Sequence, residues 1–247
     1  MIEFLPVLVL VLTFVVLLII GVPVAWCIAI SSMFTLMLAM PISAATTTVS
    51  QRIATGLDSF ALLAIPFFIL SGQIMSKGGI ANRLISFAKT LVGFLPGGLA
   101  LINIVSAMLM GAIAGSAMAS ASAMGTILGP EMEKEGYSKE FGAAVNITSS
   151  TTGLVIPPSN TLIVYSLASG GVSIAALFLA GYIPGILTGL LMMIVAMIWA
   201  KKNNYPIGKR SSLKEVFVKF IDAFPSLLLL IIVIAVSYTH LTLPTIE

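Results

Sequence analysis

The chain has very few charged side chains. Asp, Glu, Lys and Arg make up only 9% of its 247 residues, whereas they make up about 25% of an average soluble domain. Hydrophobic residues reach 59%, and residues 4–51, 90–130 and 141–200 contain no charged residue at all. About 20 apolar residues are enough to cross a bilayer, so each stretch has room for at least one transmembrane helix. The sequence therefore predicts an all-α membrane protein.

Cysteine and histidine are almost absent, which excludes several kinds of chemistry. Cys27 is the single cysteine, so the chain holds no internal disulfide framework, and its apolar surroundings predict a small packing residue. His240 is the single histidine, and the sequence contains no metal-ligand spacing. An intramembrane enzyme would depend on two chance Ser-x-x-Lys spacings, at 86–89 and 211–214. We therefore predict no catalytic residues, no enzyme and no bound cofactor.

Two uncharged stretches rich in small residues interrupt the apolar segments. The first, 111–125, contains only Gly, Ala, Ser, Met and Ile, and the second, 148–160, contains the pair Pro157-Pro158. Irregular backbone is tolerated at membrane depth only where it is buried in protein or lines a cavity. Paired interruptions of this kind indicate an ion and substrate site near the midplane of a transporter.

The uncharged run at 97–130 is longer than one crossing needs. With small residues at its centre, it predicts two shorter helices joined at a tip, Gly115-Ser116-Ala117, which together form a re-entrant hairpin. Ser120 and Ser122 follow just beyond the tip. Helix N-termini at such a tip carry partial positive charge and attract a carboxylate. The alternative is plain helix packing through small residues, for which Gly111-x-x-x-Gly115 is a motif of low specificity.

The double proline predicts a break in the second interrupted segment. Proline has no N–H and clashes with the preceding turn, so carbonyls at residues 153–156 lose their helical donors. These carbonyls, with the hydroxyls of residues 149–152 and Ser159, are hard oxygen ligands that suit Na⁺. The alternative is a proline kink in which the hydroxyls bond back to their own helix.

The distribution of Lys and Arg predicts how the chain lies in the membrane. Residues 201–219 carry six Lys or Arg and should be cytoplasmic. If 97–130 is a hairpin, residues 77–95 are also cytoplasmic and the N-terminus is periplasmic. Apolar positions at three- and four-residue spacing in 80–95 predict an amphipathic helix, either interfacial or an arm that links two parts of a transporter. The small net charge of +3, without interleaved aromatic residues, does not indicate a nucleic-acid partner.

Six short stretches along residues 1–225 resemble, in order, the large membrane subunit of tripartite ATP-independent periplasmic (TRAP) transporters. They are Ala64–Gly72, Leu95–Leu99, Gly115–Ala119, Lys134–Tyr137, Ile156–Ser159 and Phe178–Gly185. The resemblance implies an elevator-type secondary transporter that takes up C4-dicarboxylates, sialic acids or related organic acids, with Na⁺ as the coupling ion. It also implies the bacterial inner membrane as location, with a small membrane subunit and a periplasmic substrate-binding protein as partners.

The same resemblance implies two sets of site residues. The sodium site is expected between the hairpin tip and the break, at Ser116, Gly153, Ile156 and Pro158. The substrate site is expected beside it, at Gly115, Ser120, Ser159 and Asn160. No other metal site is implied.

The resemblance also divides the chain into parts. These are scaffold helices (1–76), an arm helix (77–95), half of a transport domain (96–170), a transmembrane helix with a basic loop and the start of another span (171–236), and a non-native tail (237–247). The family's large subunit has two inverted halves, and this chain matches the first, so we expect a truncated chain that does not transport alone. Two alternatives stay open: another elevator-type sodium/anion symporter, and a non-transporting membrane scaffold subunit.

Overall fold

The structure, a computed structural model, describes residues 4–58 and 60–241. Helices account for 81% of the described residues, and these residues form no strand, as expected of an all-α membrane protein. The chain divides into two compact units between residues 62 and 63. The functional division at residues 76, 95, 170 and 236 stays a prediction.

Three helices form the first unit: α1 (Phe4–Ile19), α2 (Val24–Met37) and α3 (Ile42–Leu57). Pro23 and Pro41 are the N-caps of α2 and α3, where the missing N–H and the fixed φ of proline do not disturb the helix. Helix α1 packs along α2. Cys27 on α2 is fully buried, in keeping with a packing residue.

The second unit contains the remaining elements. They are α4 (Phe60–Lys77, which begins just before the boundary), α5 (Ile80–Val92), α6 (Gly98–Ala114), α7 (Ala117–Lys134), α8 (Lys139–Ser150), a 3₁₀ turn (Thr151–Leu154), α9 (Asn160–Ala168), α10 (Ile174–Lys202) and α11 (Leu213–Leu241). The predicted helical hairpin is present as α6 and α7, which pack against each other. The predicted broken helix is present as α8 and α9. Whether the hairpin re-enters the membrane stays a prediction.

Helix α6 is the centre of the second unit. Nearly all of its residues are buried, and it contacts α5, α7, α8 and α10. A helix that is apolar on every face needs neighbours on every face, so its sequence fits this central place. The first arm of the broken helix, α8, and the 3₁₀ turn pack directly on this core, whereas α9 packs on α10.

The predicted amphipathic helix is confirmed as α5. Leu84 and Ala88, four residues apart, are fully buried, whereas Arg83 and Lys89 are exposed. The buried face packs against α6 and α11. Its role as an arm or an interfacial helix stays a prediction.

An aromatic group fixes the connection between α7 and α8. The Tyr137 N–H donates to the Met132 carbonyl at 3.0 Å, and Gly136 has φ +85°, so α7 ends in a Schellman-type cap. The Tyr137 ring stacks on Tyr205 with centroids 4.2 Å apart. This stack holds the base of the hairpin against the end of α10.

One helix in the described part of the chain, α10, is long and apolar enough to cross a membrane by length and composition. Its 29 residues agree with the span expected at 173–200. Only 22% of its most apolar window is buried inside the protein, so most of that surface is free to face lipid. Helices α1, α2 and α6 and residues 65–74 are shorter apolar helices. Helix α11 continues to Leu241, and residues 242–247 of the expected non-native tail lie outside the described residues.

Candidate functional site: the contact between the hairpin tip and the broken helix

The hairpin turns at Gly115 and Ser116. Gly115 has φ +59°, and its N–H donates to the Gly111 carbonyl at 2.7 Å, so α6 ends in a left-handed cap that glycine adopts without strain. Ser116 is extended, and its Oγ accepts from the Ala119 N–H at 3.4 Å. Ser116 is therefore the N-cap of α7.

The broken helix passes through the 3₁₀ turn and then the double proline, whose peptide bond is cis. Because neither Pro157 nor Pro158 has an N–H, the carbonyls of Gly153 and Leu154 lose their helical donors. The Leu154 carbonyl accepts from Ser159 Oγ at 2.5 Å instead. Ser159 is also the N-cap of α9, because its Oγ accepts from a backbone N–H in the first turn of that helix. Among the hydrogen bonds formed by the described residues, none has the Gly153 carbonyl as its acceptor.

The tip and the break lie in direct contact. A Cβ added to Gly111 would overlap the Cα of Gly153, and one added to Gly153 would lie 2.5 Å from the Cα of Gly111. A Cβ added to Gly115 would lie 3.3 Å from the Pro158 carbonyl oxygen and 3.2 Å from Asn160 Nδ2. The absence of side chains at these glycines therefore lets the two backbones touch.

Helix α10 closes the other side of the break through its glycine face. A Cβ on Gly181 would overlap the Val155 carbonyl oxygen, and one on Gly185 would lie 2.5 Å from Ile156 Cγ1. Val155 and Ile156 therefore lie directly against α10. The Gly181-x-x-x-Gly185 spacing is a motif of low specificity in the sequence. In the structure, both glycines form a helix-packing surface.

The hydroxyls that precede the break are bonded back to their own helix. Four side chains each donate to a carbonyl three or four residues earlier, at 2.6–3.2 Å: Ser149, Ser150, Thr151 and Thr152. This is the feature on which the proline-kink alternative rests. A hydroxyl that donates still has two lone pairs for a further partner, so the bonds do not remove these oxygens as ligands.

Four helix ends converge at the contact, and their partial charges differ in sign. The C-terminal ends of α6 and the 3₁₀ turn present carbonyl oxygens, which favour a cation. The N-terminal ends of α7 and α9, capped by Ser116 and Ser159, favour an anion. Residues 111–125 and 148–160 contain no ionisable side chain, so backbone dipoles dominate the local electrostatics.

Most of the predicted site residues come together at this contact. Gly115 and Ser116 lie at the tip, and the predicted residues of the break, 153–160, lie against the tip or directly beside it. Ser120 lies elsewhere. It is fully buried, and its Oγ donates to the Ala107 carbonyl at 3.1 Å, which joins the two arms of the hairpin. Its contact with a substrate stays a prediction that this position does not favour.

Sequence reasoning missed a cavity beside the tip. A cavity of about 500 Å³ lies between α4 and α7, and its polar lining comes from Gln73, Ser116, Ser122 and Thr126. Gln73 is the signal that could have revealed it, because an amide within an apolar helix needs a polar or aqueous neighbour. The described residues contain no group of three or more His, Cys, Asp or Glu that could hold a metal ion.

An all-α membrane protein whose hairpin and broken helix meet at their irregular residues has the architecture of a secondary transporter. Residues 11–246 match the family model described as "Tripartite ATP-independent periplasmic transporter, DctM component". The chain belongs to this family, whose members are transporter permeases and not enzymes.

Curated relatives agree with this assignment. An uncharacterized protein of Salmonella typhimurium, YgiK, is 54% identical over 229 residues, which cover 93% of this chain and 53% of the relative. The C4-dicarboxylate TRAP transporter large permease protein DctM of Vibrio cholerae is 39% identical, over 92% of this chain and 50% of that protein. The sialic acid TRAP transporter large permease protein SiaM of the same organism is 36% identical, over 79% and 46%. The chain spans about half the length of the curated relatives it matches.

Proposed function

We propose that this chain contributes the first half of the large permease subunit of a sodium-coupled organic-acid importer in the bacterial inner membrane. The observation that carries the proposal is the contact of Gly115 with Pro158 and Asn160, which brings the four helix ends together. Family membership supports the transporter class, and the uncharged, carbonyl-rich contact supports an alkali ion as the coupling ion.

The proposed sodium site lies where the C-terminal ends of α6 and the 3₁₀ turn meet. Its ligands would be backbone oxygens around Gly153, Ile156 and Pro158, together with Ser116 at the tip. The Gly153 carbonyl lacks a helical donor, so it can bind an ion without breaking a hydrogen bond. Oxygen-only coordination without a carboxylate suits a monovalent cation of the size of Na⁺.

The proposed substrate site lies beside the sodium site, at the N-terminal ends of α7 and α9. Gly115, Ser159 and Asn160 are at or next to these ends, which attract a carboxylate through the helix dipole. Relatives named for C4-dicarboxylates and sialic acid both handle carboxylate-bearing substrates. We propose an organic acid of this kind as the substrate.

The proposed partners follow from the tripartite family. They are a small membrane subunit and a periplasmic substrate-binding protein. In this proposal the N-terminus is periplasmic, and the hairpin and broken helix slide as part of a transport domain against scaffold helices, as in an elevator mechanism. The contact of α5 with α11 supports the orientation, because it joins two segments that the distribution of basic residues assigns to the cytoplasmic side.

Sodium-dependent stability of the purified chain tests the ion site. Thermal unfolding in neutral detergent would be compared in NaCl and KCl at equal ionic strength. A ligand that binds only the folded state raises its stability, and we expect Na⁺ to raise the unfolding midpoint by roughly 2–4 °C over K⁺. Pro158→Leu should remove this difference, while Pro130→Leu, which changes an exposed proline inside α7, should keep it. Equal midpoints in NaCl and KCl would instead support a non-transporting scaffold, in which the hydroxyls only bond back to their helix.

A further inference from the structure

A second, larger cavity lies at the open end of the hairpin, away from the tip. It measures about 720 Å³ and is bordered by α5, the start of α6, the loop after α10 and the start of α11. Its inner wall includes Leu99 and Ile102, which are buried. Nothing in the proposed transport cycle uses this cavity.

Basic side chains from three separate parts of the sequence surround this cavity. Lys89 comes from α5, Lys209 and Arg210 from the loop, and Lys219 from α11, while Glu135 and Glu215 are the acidic lining residues. Lys219 pairs with Asp222, outside the lining, at 3.6 Å. Among the ion pairs formed by the described residues, none involves Lys89, Lys209 or Arg210. Three cations therefore face one cavity without a protein carboxylate as partner.

The basic loop is held in place by backbone contacts. A Cβ added to Gly208 would overlap the Gly93 carbonyl oxygen, so the loop lies directly on the turn between α5 and α6. Pro96 and Ile207 form a β-bridge next to this contact. The Arg210 guanidinium lies 5.5 Å from the centre of the Phe94 ring, a cation–π distance. The loop that carries Lys209 and Arg210 is therefore held against the turn between α5 and α6 and is not a free surface segment.

The start of α6 adds a further positive group. Gly98, the first residue of α6, lines the cavity, whereas the N–H of Leu99, the second residue, interacts with the Tyr137 phenol. The first N–H groups of a helix have no partner within the helix, and this end carries partial positive charge. Helix N–H groups together with Lys and Arg form the usual protein site for a phosphate group.

We infer that this cavity binds a phosphate-bearing anion, either an anionic phospholipid headgroup or a free phosphate compound. Three cations without an ion pair are more than a single carboxylate would neutralise. They suit a phosphate group, which accepts several hydrogen bonds at once. Exposed apolar side chains in the same loop and helix, Ile207, Leu213 and Phe217, offer a surface for acyl chains next to the headgroup. Basic pockets between membrane helices bind lipid headgroups in this way. The inference does not depend on sodium coupling or on the transported substrate.

The test is a binding titration of the purified full chain in neutral detergent. The probes are dioctanoyl phosphatidylglycerol, dioctanoyl phosphatidylcholine and inorganic phosphate, with the rise in the unfolding midpoint as the readout. For a lipid headgroup site we expect saturable stabilisation by phosphatidylglycerol and little by phosphatidylcholine. Saturable stabilisation by inorganic phosphate alone supports the free-phosphate source.

Charge-neutralising variants locate the bound anion. Each cation near an anionic headgroup contributes on the order of 1 kcal/mol, so Lys209→Gln and Arg210→Gln should each weaken binding about fivefold. Lys202→Gln makes the same change of net charge at an exposed residue that does not line the cavity, and its affinity should match that of the unmodified chain. No stabilisation by either anion, or equal weakening by all three substitutions, would overturn the inference.

Discussion

Gly111 and Gly153 lie back to back, with so little space that a Cβ on either residue would meet the Cα of the other. One belongs to the hairpin and the other to the 3₁₀ turn before the double proline. This close contact fixes the position of the hairpin relative to the 3₁₀ turn. It therefore sets the positions of the helix ends from which we build the proposed sodium and substrate sites.

Gly111→Ala should destabilise the second unit. Its methyl group would overlap backbone and not a movable side chain, and such overpacking costs about 1–3 kcal/mol. Gly129→Ala is the matched control, because Gly129 is also inside a helix and has no atom within 4 Å of an added Cβ. There the change should stabilise by up to about 1 kcal/mol, through helix propensity. Thermal unfolding in detergent measures both, and a Gly111→Ala midpoint equal to that of Gly129→Ala would contradict the close contact.

Local backbone chemistry made the two irregular segments predictable. A double proline removes donors whatever surrounds it, so the break at 157–158 could be read from the sequence, and Gly115 marked the hairpin turn for a similar reason. The amphipathic spacing of α5 likewise needs only the helical period. These signals depend on a few neighbouring residues and not on how the helices pack in the tertiary structure.

Features that depend on tertiary pairing could not be predicted in this way. The direction of Ser120 depends on which face of α7 packs on α6, so its bond to Ala107 was not foreseeable from spacing. The cavity beside the tip needs Gln73 on α4 and Thr126 on α7, about fifty residues apart in sequence. Nothing local in either helix indicates that they face each other.

Alkaline pH should destabilise the chain through Tyr137. Burial raises the pKa of the Tyr137 phenol to about 12, against a smaller lowering by the Leu99 backbone N–H. In the unfolded chain the phenol ionises near pH 10, so the folded state holds the proton more tightly between these values. Its stabilising contribution is therefore complete below about pH 10 and is lost as the pH rises towards 12.

Unfolding midpoints at pH 9 and pH 11 measure this effect. The unmodified chain should lose more stability between these values than Tyr137→Phe, which has no phenol to ionise. Tyr165→Phe, which removes an exposed tyrosine hydroxyl, serves as the control and should follow the unmodified chain. Equal losses in all three proteins would show that Tyr137 does not set the alkaline limit.

Ser120→Ala separates a structural role from substrate binding. The bond from Ser120 Oγ to the Ala107 carbonyl is buried, and its loss should lower stability by about 1 kcal/mol. Because this hydroxyl points into the hairpin, the same substitution in a full-length relative should leave the KM for uptake unchanged. A raised KM with unchanged stability would instead place Ser120 in the substrate site.

Substitution at the tip and at the break should abolish sodium-dependent uptake. In a full-length relative with its small subunit and binding protein, the changes corresponding to Ser116→Leu and Pro158→Leu would be tested for uptake of a labelled C4-dicarboxylate into proteoliposomes. The first removes the N-cap oxygen of α7 and fills the space at the tip. The second restores an N–H that can bond to the Leu154 carbonyl and straighten the break. Met118→Leu is the matched control, because Met118 is exposed in the first turn of the same helix and has no side-chain oxygen to lose. We expect uptake to fall to background in the two test variants and to persist in the control, with equal membrane insertion in all three. Normal uptake by both test variants would remove the tip and the break from the transport site, because neither helix end could then be in contact with the ion.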